Sequence, residues 1–206
     1  MIGLIILIVG AIYLAVLVVV TRAAYRWAKS KGFSKAKCRL AAVGGFLVVY
    51  LPVFWDHIPT LVTHQYYCST EAGFWAYKTP EQWKAENPGL ANMLTWTEQA
   101  GRRATDSSTG STSVYMNERF SERHSQRSVA FLPVTIYESV VIDSQSGATV
   151  LRQVAVGAGY GNMMVSTDWR SMKFWLGSEV CYGAGINGMN EYNPVREGFK
   201  RIGSQK

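Results

Sequence analysis

The sequence has few of the residues that mark disulfide-dense, collagen-like or low-complexity chains, with 3 Cys, 6 Pro and 19 Gly among 206 residues. It lacks charge of either sign in residues 1–20 and lacks acid in residues 21–39. It also lacks the metalloprotease His-Glu-x-x-His pair, the P-loop, the Cys-x-x-Cys pair and the Gly-x-Ser-x-Gly elbow. The short signatures of those enzyme classes are therefore excluded.

Charge is present, but unevenly. Arg22, Arg26, Lys29, Lys31, Lys35, Lys37 and Arg39 lie in residues 21–39, and the remaining 14 Lys/Arg face 14 Asp/Glu. The net charge of +7 thus resides in one short segment. The rest of the chain has no surplus to attract phosphates, so the sequence pI of about 9.4 is no nucleic-acid footprint.

Residues 2–20 are apolar throughout and reach roughly 28 Å as a helix, close to the thickness of a bilayer core. Residues 40–55 form a second apolar run of about 24 Å, with Pro52 near its end and Trp55 placed to sit at headgroup level. A cleaved signal peptide would carry bases before the apolar stretch. Here Arg22 and Arg26 follow it, so the positive-inside rule places residues 21–39 in the cytoplasm. The expected topology is a transmembrane helical hairpin over residues 1–55 with a cytoplasmic basic turn at 21–39. Residues 56–206 would then form a periplasmic domain of a bacterial inner-membrane protein, with both termini outside the cytoplasm.

That outer segment is long enough to bury its own core. Its pattern predicts α+β: short helices flanking a small antiparallel sheet, the whole membrane-anchored. Thr79-Pro80-Glu81-Gln82 has the form of a helix start with a capping box, and Asn87-Pro88-Gly89 the form of a stop. A second helix is expected over 90–99, with Leu90, Met93, Leu94 and Trp96 apolar. Residues 102–113 read as a polar loop. Strands are expected over 114–123, 129–142 and 148–156, the last two joined by a turn at 143–147. Residues 167–176 read as an amphipathic helix stopped by Gly177. Val134, Ile136, Val140 and Ile142 share a strand face with Glu138, and Val150, Val154 and Val156 share one with Arg152. A bulge at Gly147 would bring Glu138 opposite Arg152 as a structural ion pair.

Cysteine usage follows the topology. Cys38 falls in the cytoplasmic turn, while Cys68 and Cys181 are the two thiols of the outer domain and are expected to pair, 113 residues apart. A competing reading uses His57, His64 and Cys68 as metal ligands, seven and four residues apart on one helix side with Glu71 near the end of the row, but Pro59 is expected to break that helix. No metal or other cofactor is therefore expected. Gly183-Ala-Gly185-Ile-Asn-Gly188 matches G-x-G-x-x-G, yet no strand before it and no lasting helix after it is expected, because Asn193-Pro194 follows. It reads as a loop, as does the cluster at 157–161.

The outer segment holds Trp75, Trp83, Trp96, Trp169 and Trp175. Phe74, Trp75 and Tyr77 form the cluster best suited to anchor an interface. The functional expectation is a non-enzymatic interaction or accessory module of an envelope complex, with the lipid bilayer and another membrane or envelope protein as partners and no nucleic acid. The alternative is a membrane-tethered periplasmic hydrolase using His124 or the His57/His64 region.

Overall fold

A computed structural model of the chain describes residues 2–94, 101–108, 110–160, 169–183 and 188–202. The chain divides into two compact units, residues 1–58 and 59–206.

The first unit is built from two helices, α1 (Ile2–Ser30) and α2 (Lys35–Phe54). The segment expected as a basic turn over 21–39 is mostly helical. Arg22, Ala23, Ala24 and Arg26 are strong helix formers that extend the apolar run without a break. α1 therefore runs for 29 residues, about 44 Å. The turn itself is residues 31–34. Gly32 sits at φ 73, its N–H donates to Lys29 O, and the Phe33 N–H donates to Ala28 O, which is the Schellman pattern.

The two helices pack antiparallel along a seam. A Cβ added to Gly45 would lie 2.8 Å from Ala24 Cβ and 3.3 Å from Val20 O, so glycine is what allows the backbones to approach there. Tyr13 Oη donates to Val49 O at 3.2 Å, and Ala28 and Cys38 are buried beside the turn. Pro52 lies inside α2. Away from the seam, Leu7, Leu14, Leu40 and Val48 are 61–72 % exposed. Both helices are long and apolar enough to cross a membrane.

The chain passes into the second unit within α3 (His57–Thr70). Pro59 does not break this helix. It is the third residue, where a backbone N–H would have no partner within the helix. Among the described residues, seven strands then form one antiparallel sheet: β1 (Gly73–Ala76), β2 (Arg103–Asp106), β3 (Ser111–Tyr115), β4 (Phe120–Ser128), β5 (Val134–Asp143), β6 (Thr149–Ala158) and β7 (Ser178–Cys181). The order is β1-β6-β5-β4-β3-β2, and β7 pairs with β6 beyond the end of β1. Besides most of α3, the described helices of this unit are α4 (Pro80–Glu86), α5 (Pro88–Met93) and α6 (Gly188–Lys200), with 3-10 turns at Trp169–Met172 and Phe174–Leu176.

Several local expectations are corrected. The polar loop over 102–113 is largely the β2–β3 hairpin, its backbone paired from Arg103↔Val114 to Asp106↔Ser111. The strand expected over 114–123 is split between β3 and β4. Asn117 turns the chain there by accepting the Arg119 and Phe120 N–H groups at 2.9 and 2.8 Å, while its amide donates to Phe199 O. The strand expected from residue 129 starts at Val134. The helix expected over 167–176 consists of two 3-10 turns in its described part, and 167–168 lie outside the described residues. The helix expected over 90–99 is Pro88–Met93, while Trp96 and the rest of 95–99 lie outside the described residues. The start at Thr79 has the full reciprocal cap with Gln82.

The bulge falls in a different place from Gly147. Val141 faces Leu151 and Ile142 faces Thr149, leaving Val150 unpaired. Val150 accordingly leaves the face of Arg152 and joins the opposite core, and its carbonyl accepts the Tyr77 and Lys78 N–H groups at 2.9 and 3.2 Å. Glu138 faces Val154 and Arg152 faces Val140, so Glu138 and Arg152 are diagonal neighbours rather than opposite partners.

Two hydrophobic cores result, on opposite sides of the sheet. One packs Trp83 of α4 and Tyr192 and Phe199 of α6 against Phe120, Val141 and Leu151. The other packs Tyr67, Cys68 and Ala72 over Val134, Ile136, Val154 and Val156 at one end of the reverse face. Trp83 is held further by Asp143. This carboxylate accepts from Trp83 Nε1 at 3.4 Å, pairs with Arg119 at 2.5 Å and caps the 143–147 turn through the Gln145 N–H.

Candidate functional site

Among the described residues, α3 covers only one end of its sheet face and the rest of the face is open. The pleat determines which side chains occupy it. From β1 across to β2 these are Trp75, Arg152, Glu138 and Val140, Arg123 and Ser125, Ser113, and Asp106. Arg152 organises the centre. Its Nε lies 2.7 Å from Glu138 Oε1, and its guanidinium sits 5.2 Å from the Trp75 ring centroid. The Glu138 hydrogen bond, aided by that carboxylate's charge and opposed by burial, raises the Arg152 pKa above its ordinary value. Arg152 is thus a fixed cation lying between an aromatic ring and an acid.

Among the described residues, three hollows stand out on this face. One of about 210 Å³ is lined by Glu71, Arg127, Glu138 and Arg152. The second, about 300 Å³, lies between Tyr77, Val140, Thr149 and Arg152. The third, about 500 Å³, is bordered by Asp106, Arg123, Ser125 and Glu138. Of the aromatic cluster singled out in the sequence, Trp75 and Tyr77 are on the accessible side, 38 and 59 % exposed. Phe74 points the other way and packs edge-on against Tyr192 in the helix-covered core. Alternation along β1 separates it from its neighbour.

The second cluster is at the end of α3. Cys68 and Cys181 are joined in a disulfide with Cα atoms 6.0 Å apart, tying α3 to β7. His64 lies one turn before Cys68. Its Nε2 is 3.2 Å from Val156 O, and Cys68 Sγ is 3.5 and 3.8 Å from its Nε2 and Nδ1. Together, His64, Cys68 and Cys181 bring three potential ligand atoms within 4.8 Å of one another. His57, at the first position of α3, is not part of this group. Glu71 pairs with Arg127 instead.

His124 is not an isolated exposed residue. It stands on β4 opposite Ser139 of β5, with Nδ1 2.9 Å from Ser139 Oγ, and its Nε2 is 3.6 Å from Glu122 Oε2. Glu122 is buried, takes the Tyr192 hydroxyl at 2.6 Å and pairs with Arg196 at 2.7 Å. Burial, followed by the Glu122 charge, pushes the Tyr192 pKa far above its ordinary value, so Tyr192 donates a permanent proton to that carboxylate. Burial works against the charge on Arg196, but its hydrogen bond to Glu122 and the charges around it, those of Glu122 and Glu197 included, together outweigh this and raise its pKa.

The G-x-G-x-x-G segment also differs from expectation. β7 precedes it and α6 follows, with Pro194 inside the helix. However, β7 is antiparallel to β6, so this is not the parallel βαβ unit of a dinucleotide site, and residues 184–187 lie outside the described residues. Gly183 has a packing reason of its own. At φ 103, an added Cβ there would lie 2.8 Å from Gly73 Cα. Of the other glycine cluster, Gly161 lies outside the described residues.

Phe131, which no motif marks, stands at the tip of the β4–β5 connection, 93 % exposed and at φ 65. Its only sequence signal was the loss of alternation across Val129-Ala130-Phe131-Leu132. Comparison of the chain with protein families, with characterised proteins and with solved structures finds no match.

Proposed function

We propose that this chain is an integral protein of the bacterial inner membrane whose two apolar helices span the bilayer as a hairpin. In this reading the basic segment around the turn faces the cytoplasm, and residues 56–206 act outside it as a non-enzymatic interaction or accessory module of an envelope complex. The apolar side chains exposed along α1 and α2 support the spanning role, because lipid is the solvent such surfaces need. The observation that carries the interaction role is the open half of one sheet face. Trp75 and Tyr77 stand there beside a fixed Arg152, the residue types that dominate binding hot spots.

A photo-crosslinking side chain at position 75 and another at Tyr137, on the opposite sheet face and 43 % exposed, separate this face from the rest. Position 75 is expected to capture a discrete envelope protein. Position 137 is expected to capture none, and Tyr77→Ala should weaken capture from 75 without changing the far-UV spectrum. Equal capture from both positions would overturn the assignment.

A second reading, a membrane-tethered hydrolase, draws on the Ser139–His124 contact. Against it, Glu122 is already engaged by Tyr192 and Arg196, and the three hollows open on the other face. The His57/His64 version of that reading has His64 beside a disulfide rather than a nucleophile. Covalent labelling of Ser139 by a fluorophosphonate, lost in His124→Ala, would favour the hydrolase.

A further inference from the structure

We propose that Cys68, Cys181 and His64 form a redox-gated site for a thiophilic d10 divalent ion of the zinc class. The site is closed as a disulfide when oxidised and becomes a Cys2His ligand set when reduced. The three residues come from two elements. α3 supplies His64 and Cys68 on one helix face, and β7 supplies Cys181, which stands opposite Val156 in the sheet. Their ligand atoms lie within 4.8 Å of one another, and all three residues are half-buried.

Two features distinguish this group from a disulfide that happens to have a histidine nearby. The first is the tautomer. Val156 O is an acceptor only, so the ring nitrogen 3.2 Å from it, Nε2, carries the proton and donates. That leaves the lone pair on Nδ1, 3.8 Å from Cys68 Sγ. A metal-bound histidine is normally fixed in just this way, by donation from its other nitrogen to a carbonyl. The second is spacing. With Zn–N of about 2.05 Å and Zn–S of about 2.3 Å at tetrahedral angles, ligand nitrogen and sulfur lie about 3.6 Å apart. The observed Sγ–Nδ1 distance of 3.8 Å is close to this, but Sγ lies nearer still to Nε2, at 3.5 Å, so the Cys68 side chain released by reduction must swing to the Nδ1 edge of the ring. Cα atoms 6.0 Å apart leave the two sulfurs free to separate by rotation about their side chains and share one ion.

Opening the site requires two electrons. A dithiol reduces the Cys68–Cys181 bond to two thiols and leaves as its own cyclic disulfide. Zn2+ then binds both sulfurs as thiolates and His64 through Nδ1, releasing two protons to solvent. Water takes the fourth position, as in three-ligand zinc sites.

The test uses the full chain in detergent, reduced with a dithiol, freed of reductant under argon and titrated with Zn2+, with Co2+ as a spectroscopic probe. One equivalent should bind, with a thiolate-to-cobalt charge-transfer band, and the disulfide form should bind none. His64→Ala should weaken Zn2+ at least tenfold, whereas His57→Ala should leave it unchanged. Far-UV circular dichroism of the reduced chain checks the fold, and the spectrum should match that of the oxidised chain once Zn2+ is bound. A reduced chain with no charge-transfer band, equal affinity in His64→Ala, or a chain that stays unfolded with Zn2+ present would each overturn the site.

Discussion

Glu122 shows how far a single buried charge constrains this fold. Its carboxylate is 2 % exposed and holds both the Tyr192 hydroxyl and the Arg196 guanidinium, linking β4 to α6. Glu122→Gln keeps the volume but leaves Arg196 without its counter-charge, and should cost about 2–3 kcal/mol, reduced from the fully buried case because Arg196 keeps some access to water. Tyr192→Phe loses one hydrogen bond to a charged acceptor and should cost about 1.5–2 kcal/mol. Urea unfolding of the three proteins checks both numbers. Asp143 gives the acid limb of the same surface. Burial would raise its pKa, but the Arg119 hydrogen bond, the Gln145 and Ser146 N–H groups and the Arg119 charge together lower it below the ordinary value of 3.8. A carboxylate depressed in the folded state contributes stability that is complete above its unfolded pKa and is lost as pH falls through the folded one. Stability should therefore drop below about pH 4, and Asp143→Asn, which has no proton to gain, should flatten that limb. Little of this could be read from the sequence. Glu138 and Arg152 could be placed on one face because strand period is fixed. Ser139 of β5 meets His124 only through a register that no local pattern encodes.

At the scale of elements, legibility followed the strength of local chemistry. Thr79-Pro80-Glu81-Gln82 contains its own cap, so α4 starts where the sequence says it should. Pro59 and Pro194 are helix breakers by residue type, but Pro59 lies in the first turn of α3 and α6 continues through Pro194. The β2–β3 hairpin was hidden because its residues are Arg, Thr, Asp and Ser, polar on both faces. Such strands are held by ladder hydrogen bonds and have no apolar alternation to reveal them. The Cys68–Cys181 link is the cross-element tie with the largest expected effect. It closes a separation of 113 residues, for which loss of unfolded-chain entropy contributes about 4–5 kcal/mol. Cys68→Ser with Cys181→Ser should lower the stability of the second unit by about that amount, read as a drop in Tm that the oxidised wild type does not show. A double variant as stable as wild type would mean that the core around Val134, Ile136, Val154 and Val156 holds α3 by itself.

The whole molecule combines a two-helix unit bearing most of the net positive charge with an α+β unit that presents Trp75, Tyr77, Glu138 and Arg152 on one sheet face. The account depends on which side of a membrane each lies. Cys38 is a poor reporter, because it is buried and its thiol contacts Phe33 O at 3.5 Å. Lys31 and Ser107 are exposed, the first in the α1–α2 turn and the second in the β2–β3 turn. The decisive measurement is labelling of Lys31→Cys and Ser107→Cys, each in a Cys38→Ser background, by a membrane-impermeant maleimide on intact spheroplasts. We expect position 107 to label at once and position 31 only after the membrane is permeabilised. Labelling of position 31 with protection of position 107, or labelling of both before permeabilisation, would contradict a membrane hairpin that carries its sheet domain on the outer side.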